Sequence, residues 1–278
     1  MTVANRKTPT TLYHYTSYQG IDGIFRSKSL WCSKIQHMND SQELRHGMGV
    51  LAQVCHDEHK DLFGSNLMWN TTERYSETNV FVCSFCESGD LLSQWRGYSN
   101  GGGVSIGFSV EKLDAAAGRQ GFQLVRCEYH DFKQKWMTQL FVRHFLKTSD
   151  PNKTPEEKAN ALASSFITTA ARFKHSSFRE ENEWRLIGQR LLGQGVIKAR
   201  TISNGLLPYT SFDLKADIFP KRHLSPYGAN DEDIGVSQVV IGPHPHQALQ
   251  GTAMWILSEQ HEVHVPQTTA SQIPFRQF

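Results

Sequence analysis

Blocks of alternating and helically spaced apolar positions succeed one another along this chain. Leu12-Tyr13-His14-Tyr15-Thr16 is aromatic and β-branched and reads as a first strand, with Leu12, His14 and Thr16 on one side and Tyr13 and Tyr15 on the other. Ser17 can cap a short helix bearing Ile21, Ile24 and Phe25 at helical spacing. Leu30-Trp31-Cys32 is a second short strand. Asp40 with Glu43 three residues on matches a capping box for a helix running through Val50, Leu51 and Val54. Residues 66–78 are polar and read as a loop. Residues 80–85 are an apolar run of strand length, which suits a central position. A helical turn over 91–96, a flexible glycine-rich stretch over 97–103, a strand over 104–108 and another over 124–129 follow.

Residues 131–146 and 154–173 read as a helical pair. Thr154, Pro155 and Glu157 supply a cap, a first-turn proline and a capping-box acid, and Leu162, Phe166, Ala170 and Phe173 make an inward stripe. Strands return at 181–187, 195–202, 236–241 and 262–265, with a last helix over 248–259. Residues 204–230, with their Gly and Pro, are the longest expected loop. Strands, paired helices, then strands again, without strict β-α alternation, predict an α+β fold. The expectation is one domain over 1–278, with the helical pair (about 131–175) inserted before the acidic strand.

Composition narrows the class. Lys+Arg 29 against Asp+Glu 27 gives +2, so no strong field points to nucleic acid or an anionic membrane. No apolar run approaches a membrane span, and residues 1–11 are polar with no signal-peptide core. The odd count of five cysteines favours free thiols in a reducing cytoplasm.

Residues 178–187, Phe-Arg-Glu-Glu-Asn-Glu-Trp-Arg-Leu-Ile, hold the most chemistry. Extended from Glu181, they place Glu181, Glu183, Arg185 and Ile187 on one face and Asn182, Trp184 and Leu186 on the other. Such a face borders a cleft, or else Arg185 pairs Glu181 or Glu183 structurally. Other motifs carry less. Gly103-Val104-Ser105-Ile106-Gly107 matches a nucleophile elbow in letters, but the predicted strand runs through the serine. The glycines at 101, 102, 103 and 107 open a strand rather than a helix, which excludes a dinucleotide-binding turn. Cys83 and Cys86 fall on opposite strand faces, poor geometry for a shared metal, and no metal site is expected.

Residues 12–16, 39–43, 81–85, 94–98, 103–108 and 181–187, taken in order, resemble the bacterial DUF2971 family, and Ile241-Gly242-Pro243-His244 resembles its last recurrent element. That family is similar in layout to ADP-ribosyltransferase-like folds, a split mixed β-sheet clamping NAD. The resemblance implies an enzyme that takes NAD as substrate, cleaves its nicotinamide–ribose bond and transfers ADP-ribose to a macromolecule, a small molecule or water (an NAD glycohydrolase). It implies Glu183 as the catalytic acid, Glu181 as the upstream member of an E-x-E pair, and His14 on a ribose. Tyr15, Thr16, Trp95 and Tyr98 would contact the nucleotide, with Arg96 or Arg185 on the pyrophosphate. Trp95 has a second reading, as a core anchor. A toxin or phage-defence setting with a neutralising partner follows from the family analogy alone. Two other readings stay open: an inactive nucleotide-binding or regulatory module, and an RNA 2′-phosphotransferase-like activity using Arg172, Lys174, His175 and Arg179.

Overall fold

The computed structural model describes residues 8–37, 41–60, 79–98, 102–191, 196–202, 205–215, 222–224 and 230–274. The first half contains β1 (Thr11–Thr16), α1 (Tyr18–Ser27), β2 (Ser29–Lys34), α2 (Ser41–Glu58), β3 (Val80–Cys86), α3 (Leu92–Tyr98), β4 (Val104–Ser109) and α4 (Val110–Arg119). Next come β5 (Phe122–Arg126), α5 (Asp131–Thr148), α6 (Pro155–Ala170), β6 (Glu183–Gln189), β7 (Ile197–Ile202) and β8 (Gly205–Asp213). The chain continues through β9 (Arg222–Leu224), β10 (Asn230–Glu232), β11 (Val236–Ile241), α7 (Gln247–Gln260) and β12 (Thr268–Ala270). Ten strands form a mixed open sheet in an α+β arrangement, antiparallel throughout except for the β11–β12 pair.

The apolar run of β3 lies at the centre because both of its faces are covered. Phe81, Cys83 and Phe85 join a core with Leu12, Phe25, Leu113 and Met254, under α1, α4 and α7. Val80 and Val82 join the other core, where Leu44, Leu51, Leu162, Phe166 and Ile187 pack under α2, α5 and α6. The helical pair is therefore half of a main hydrophobic layer rather than an appendage on the sheet. Its capping box is present as expected, Thr154 accepting the Glu157 N–H and the Glu157 carboxylate accepting the Thr154 N–H.

One helix was not foreseen, and three expectations are corrected. Residues 110–119, unassigned from sequence, form α4, capped by Ser109. The supposed long loop contains β8, whose Leu207, Tyr209 and Phe212 are buried and which bridges β2 to β7. Gly205 and Pro208 signal a loop locally, but pairing on both edges overrides them. The final strand falls at 268–270 rather than 262–265. Glu181 belongs to a 3-10 turn (Ser176–Glu181), not to β6. Asn182 takes the left-handed conformation at φ 41°, which short polar side chains tolerate, and breaks the extended run before Glu183. The expectations at Asp40 and over 66–78 lie outside the described residues.

Helix α2 approaches α6 closely at Gly47, where an added Cβ would stand 2.6 Å from the Ala170 carbonyl oxygen and 2.9 Å from its Cα. Backbone cannot yield as a side chain can, so Gly47→Ala is expected to destabilise by about 1–3 kcal/mol through overpacking. Chemical denaturation reads this directly, and an unchanged midpoint would refute the close approach.

Candidate functional site: a hollow in the forked sheet

One edge of β3 serves two strands. β1 meets it at Tyr13–Cys86, and β2 meets it at Ser33–Val82 and Lys34–Phe81. Between those contacts the edge opens, and β1 and β2 diverge into separate branches, β1-β4-β11-β12 and β2-β8-β7. The opposite edge of β3 pairs with β6 along its whole length. At the fork a side chain stands in for a neighbouring strand: His14 Nδ1–H donates to the Ser84 carbonyl at 3.0 Å. A buried carbonyl requires some such donor.

A hollow of about 530 Å³ fills the fork, within the range of small-ligand sites. Among its lining residues are His14, Cys83, Tyr98, Glu181, Glu183 and Arg200. His14 and the two acids, far apart in sequence, thus border one space. Tyr15 and Thr16 also line it. Tyr15 is a fixed wall, its hydroxyl donating to Ser88 O and accepting from Leu91 N, both at 2.9 Å. Tyr98 is exposed beside the hollow.

Trp95, Arg96 and Arg185 are not among the lining residues. Trp95 is a buried anchor, edge-on to Tyr15 at 4.7 Å, with its indole N–H on Asp90 at 2.7 Å. Arg96 is exposed. Arg185, 2% exposed, is the hub of a buried ionic cluster. Its Nε donates to Glu183 Oε1 (2.7 Å), Nη2 to Glu183 Oε2 (3.0 Å) and to Glu43, and Nη1 to the Ala171 carbonyl (2.7 Å). Lys174, also buried, reaches Glu183 Oε2 (2.6 Å), Glu181 Oε2 (2.7 Å) and Glu43 Oε1 (3.2 Å).

The cluster fixes charge states. Burial alone would push the Glu183 carboxyl up, but the Arg185 and Lys174 cations outweigh it and hold it at about 2. For Glu43 burial wins, and its pKa rises despite the same two cations. Three carboxylates against two cations leave a formal −1, at the end of the hollow that Glu181 and Glu183 line. Glu183 is 3% exposed, whereas the Glu181 side chain keeps 17% of its surface.

Also lining the hollow, Arg200 from β7 lies over the Trp31 ring at 5.4 Å and donates to Ser33 Oγ at 3.3 Å. Its buried Nε has no hydrogen-bond partner among the described residues. Burial pushes its pKa down. The basic cluster read from sequence does not gather here. Lys174 is locked among acids, His175 caps the following turn through Ser177 N, and Arg172 and Arg179 do not line the hollow.

Sequence reasoning missed Glu43 and Arg200. Glu43 reads as a capping-box acid, and its destination on β6, some 140 residues away, has no local signal. Arg200 sits in a strand whose place in the fork depends on the unforeseen β8.

Among the described residues no helix is long and apolar enough to cross a membrane, and no group of three or more His, Cys, Asp or Glu is placed to hold a metal ion. No curated protein and no solved structure matches this chain. Residues 94–186, from α3 through the acidic turn into β6, match the family model DUF2971, a protein of unknown function.

Proposed function

We propose that this protein is an ADP-ribosyltransferase-like enzyme that takes NAD into the forked hollow, breaks the nicotinamide–ribose bond and passes ADP-ribose to an acceptor nucleophile or to water. The observation that carries this reading is the convergence of His14, Glu181 and Glu183 on one ligand-sized space. Loss of nicotinamide develops positive charge on the ribose, as in glycoside cleavage. A fixed anion placed where that charge develops lowers the barrier, because it binds the transition state more tightly than the ground state. The −1 cluster is such an anion, and its depressed Glu183 makes it a charge stabiliser rather than a proton donor. Glu181, closer to solvent, is the member suited to a ribose hydroxyl or to an acceptor proton. With Nδ1 held on Ser84, His14 offers Nε2 to a ribose hydroxyl. Tyr98 supplies a stacking surface, and Arg200 takes the pyrophosphate role that the family resemblance implied for Arg96 or Arg185.

A binding module without turnover is the second reading. It is favoured by the fact that both Glu183 oxygens are already engaged by cations. One experiment separates the two. Purified protein is incubated with NAD, free nicotinamide is followed by chromatography, and melting temperature is recorded with and without NAD. Nicotinamide release supports the enzyme, and stabilisation without release, with candidate acceptors supplied, supports the module. Neither effect would sink both readings.

A further inference from the structure

Cys83 lines the hollow, and its surroundings are not those of an inert core thiol. The β2–β3 register pairs Lys34 with Phe81 and Ser33 with Val82, so Cys32 and Cys83 are the next residues along the two strands, where the fork begins to open. Directly opposed residues of antiparallel strands have Cα atoms roughly 4.5–5.5 Å apart, so residues one step beyond such a pair start close to the range of roughly 4.4–6.8 Å that a disulfide spans. Both thiols are buried in the same core cluster. The His14 Nδ1 stands 3.7 Å from the Cys83 sulfur.

We propose that Cys83 is a site of oxidation by hydroperoxides, with Cys32 as the resolving thiol, so that the pair closes to a reversible cross-strand disulfide at the base of the hollow. The Cys83 thiolate attacks the peroxide O–O bond, forming an S–O bond and releasing water or alcohol after proton uptake. This gives a sulfenic acid. The Cys32 thiol then attacks that sulfur, the S–O bond breaks, and its oxygen leaves as water with the thiol proton. Overall two thiols are oxidised by two electrons and one peroxide is reduced.

The electrostatics agree with the geometry. The neighbouring Cys32 thiol, followed against burial by His14 and the Arg200 charge, brings the Cys83 thiol down to about 5. Burial places the His14 imidazolium at a disadvantage, but the Cys83 charge more than offsets this and raises the His14 pKa. The other thiols, Cys32 among them, are pushed the opposite way: burial raises Cys55 to about 12 and takes Cys86 and Cys127 well above their ordinary value. Thiolate content should therefore separate Cys83 from those three by about tenfold or more in rate at neutral pH, even after allowing for the weaker nucleophilicity of a low-pKa thiolate.

The test uses the reduced full-length protein, a near-stoichiometric pulse of hydrogen peroxide at pH 7, acid quenching, and thiol counting after unfolding. Two of the five thiols should disappear, the intact mass should fall by two hydrogens, and peptide mapping should join Cys32 to Cys83, with dithiothreitol restoring all five. In Cys32→Ala, a dimedone adduct should accumulate on Cys83. Survival of all five thiols in the wild type would overturn the proposal, as would oxidation spread evenly over Cys55, Cys86 and Cys127. Mapping of the wild type needs no variant, so misfolding of Cys32→Ala does not blunt the result.

Discussion

Replacing Arg185 by methionine is expected to remove about 3–5 kcal/mol of folding stability, the cost of leaving buried carboxylates without their cation. The methionine fills much of the volume, so the loss isolates charge and hydrogen bonding from packing. Glu183 and Glu43 would then share Lys174 with Glu181, and the Ala171 carbonyl would lose its donor. Urea unfolding followed by tryptophan fluorescence measures the change, and a loss below about 1 kcal/mol would mean that the cluster behaves like an exposed pair. The pH dependence sharpens the test. Glu183 is depressed from 4.5 to about 2, so its contribution is present above about 4.5 and is lost as pH falls through 2. That difference is worth about 3 kcal/mol. Glu43 is raised and acts with the opposite sign, gaining from protonation in the folded state. In Arg185→Met both acids lack their main counter-charge and burial dominates, so the variant should become more stable as pH falls from 7 toward 5. The wild type should instead weaken below about 4.5. Parallel profiles would contradict the assigned charge states.

How much of this could be read beforehand depended on whether the signal was local. The first strand, the central apolar strand, the capped helix after Thr154 and the alternation of β6 from Glu183 onward are each written in a few neighbouring residues, and each is found as read. Arg185 as a structural partner of Glu183 was one of two readings of the acidic stretch, and the pairing is present together with the adjoining hollow. What escaped was long-range. β8 carries glycine and proline that mimic a loop, and only its pairing with β2 and β7 makes it a strand. Glu181 and Glu183 look like an alternating pair, yet the turn at Asn182 separates them, and Lys174 rather than a shared strand face brings their carboxylates together. The fork itself has no sequence signature. It arises because two strands compete for one edge of β3, and His14 is legible there only as an isolated polar residue in an apolar strand.

Glu181→Gln is expected to lower nicotinamide release by about 10²–10³-fold, the effect of removing one preorganised group from a site of developing charge. Its fold should survive. Glu181 lies in the turn before β6, keeps part of its surface in solvent, and belongs to a cluster that already holds more acids than cations, so its neutralisation removes repulsion as well as attraction. A change in stability within about 1 kcal/mol follows, as for a partly exposed ion pair. Glu183→Gln differs in kind. It removes the charge behind both Glu183 contacts of Arg185, which keeps only its carboxylate contact to Glu43, and behind one contact of Lys174, so it should lose stability and turnover together and cannot by itself distinguish a catalytic group from a structural one. The informative measurement is therefore the pair: kcat and unfolding free energy for each variant under one buffer condition. Collapse of kcat at an unchanged Tm in Glu181→Gln assigns the chemistry to the rim of the cluster, with Glu183 holding the field in place beneath it. Turnover within threefold of wild type would remove Glu181 from the mechanism and leave the acidic turn as a structural support for Lys174.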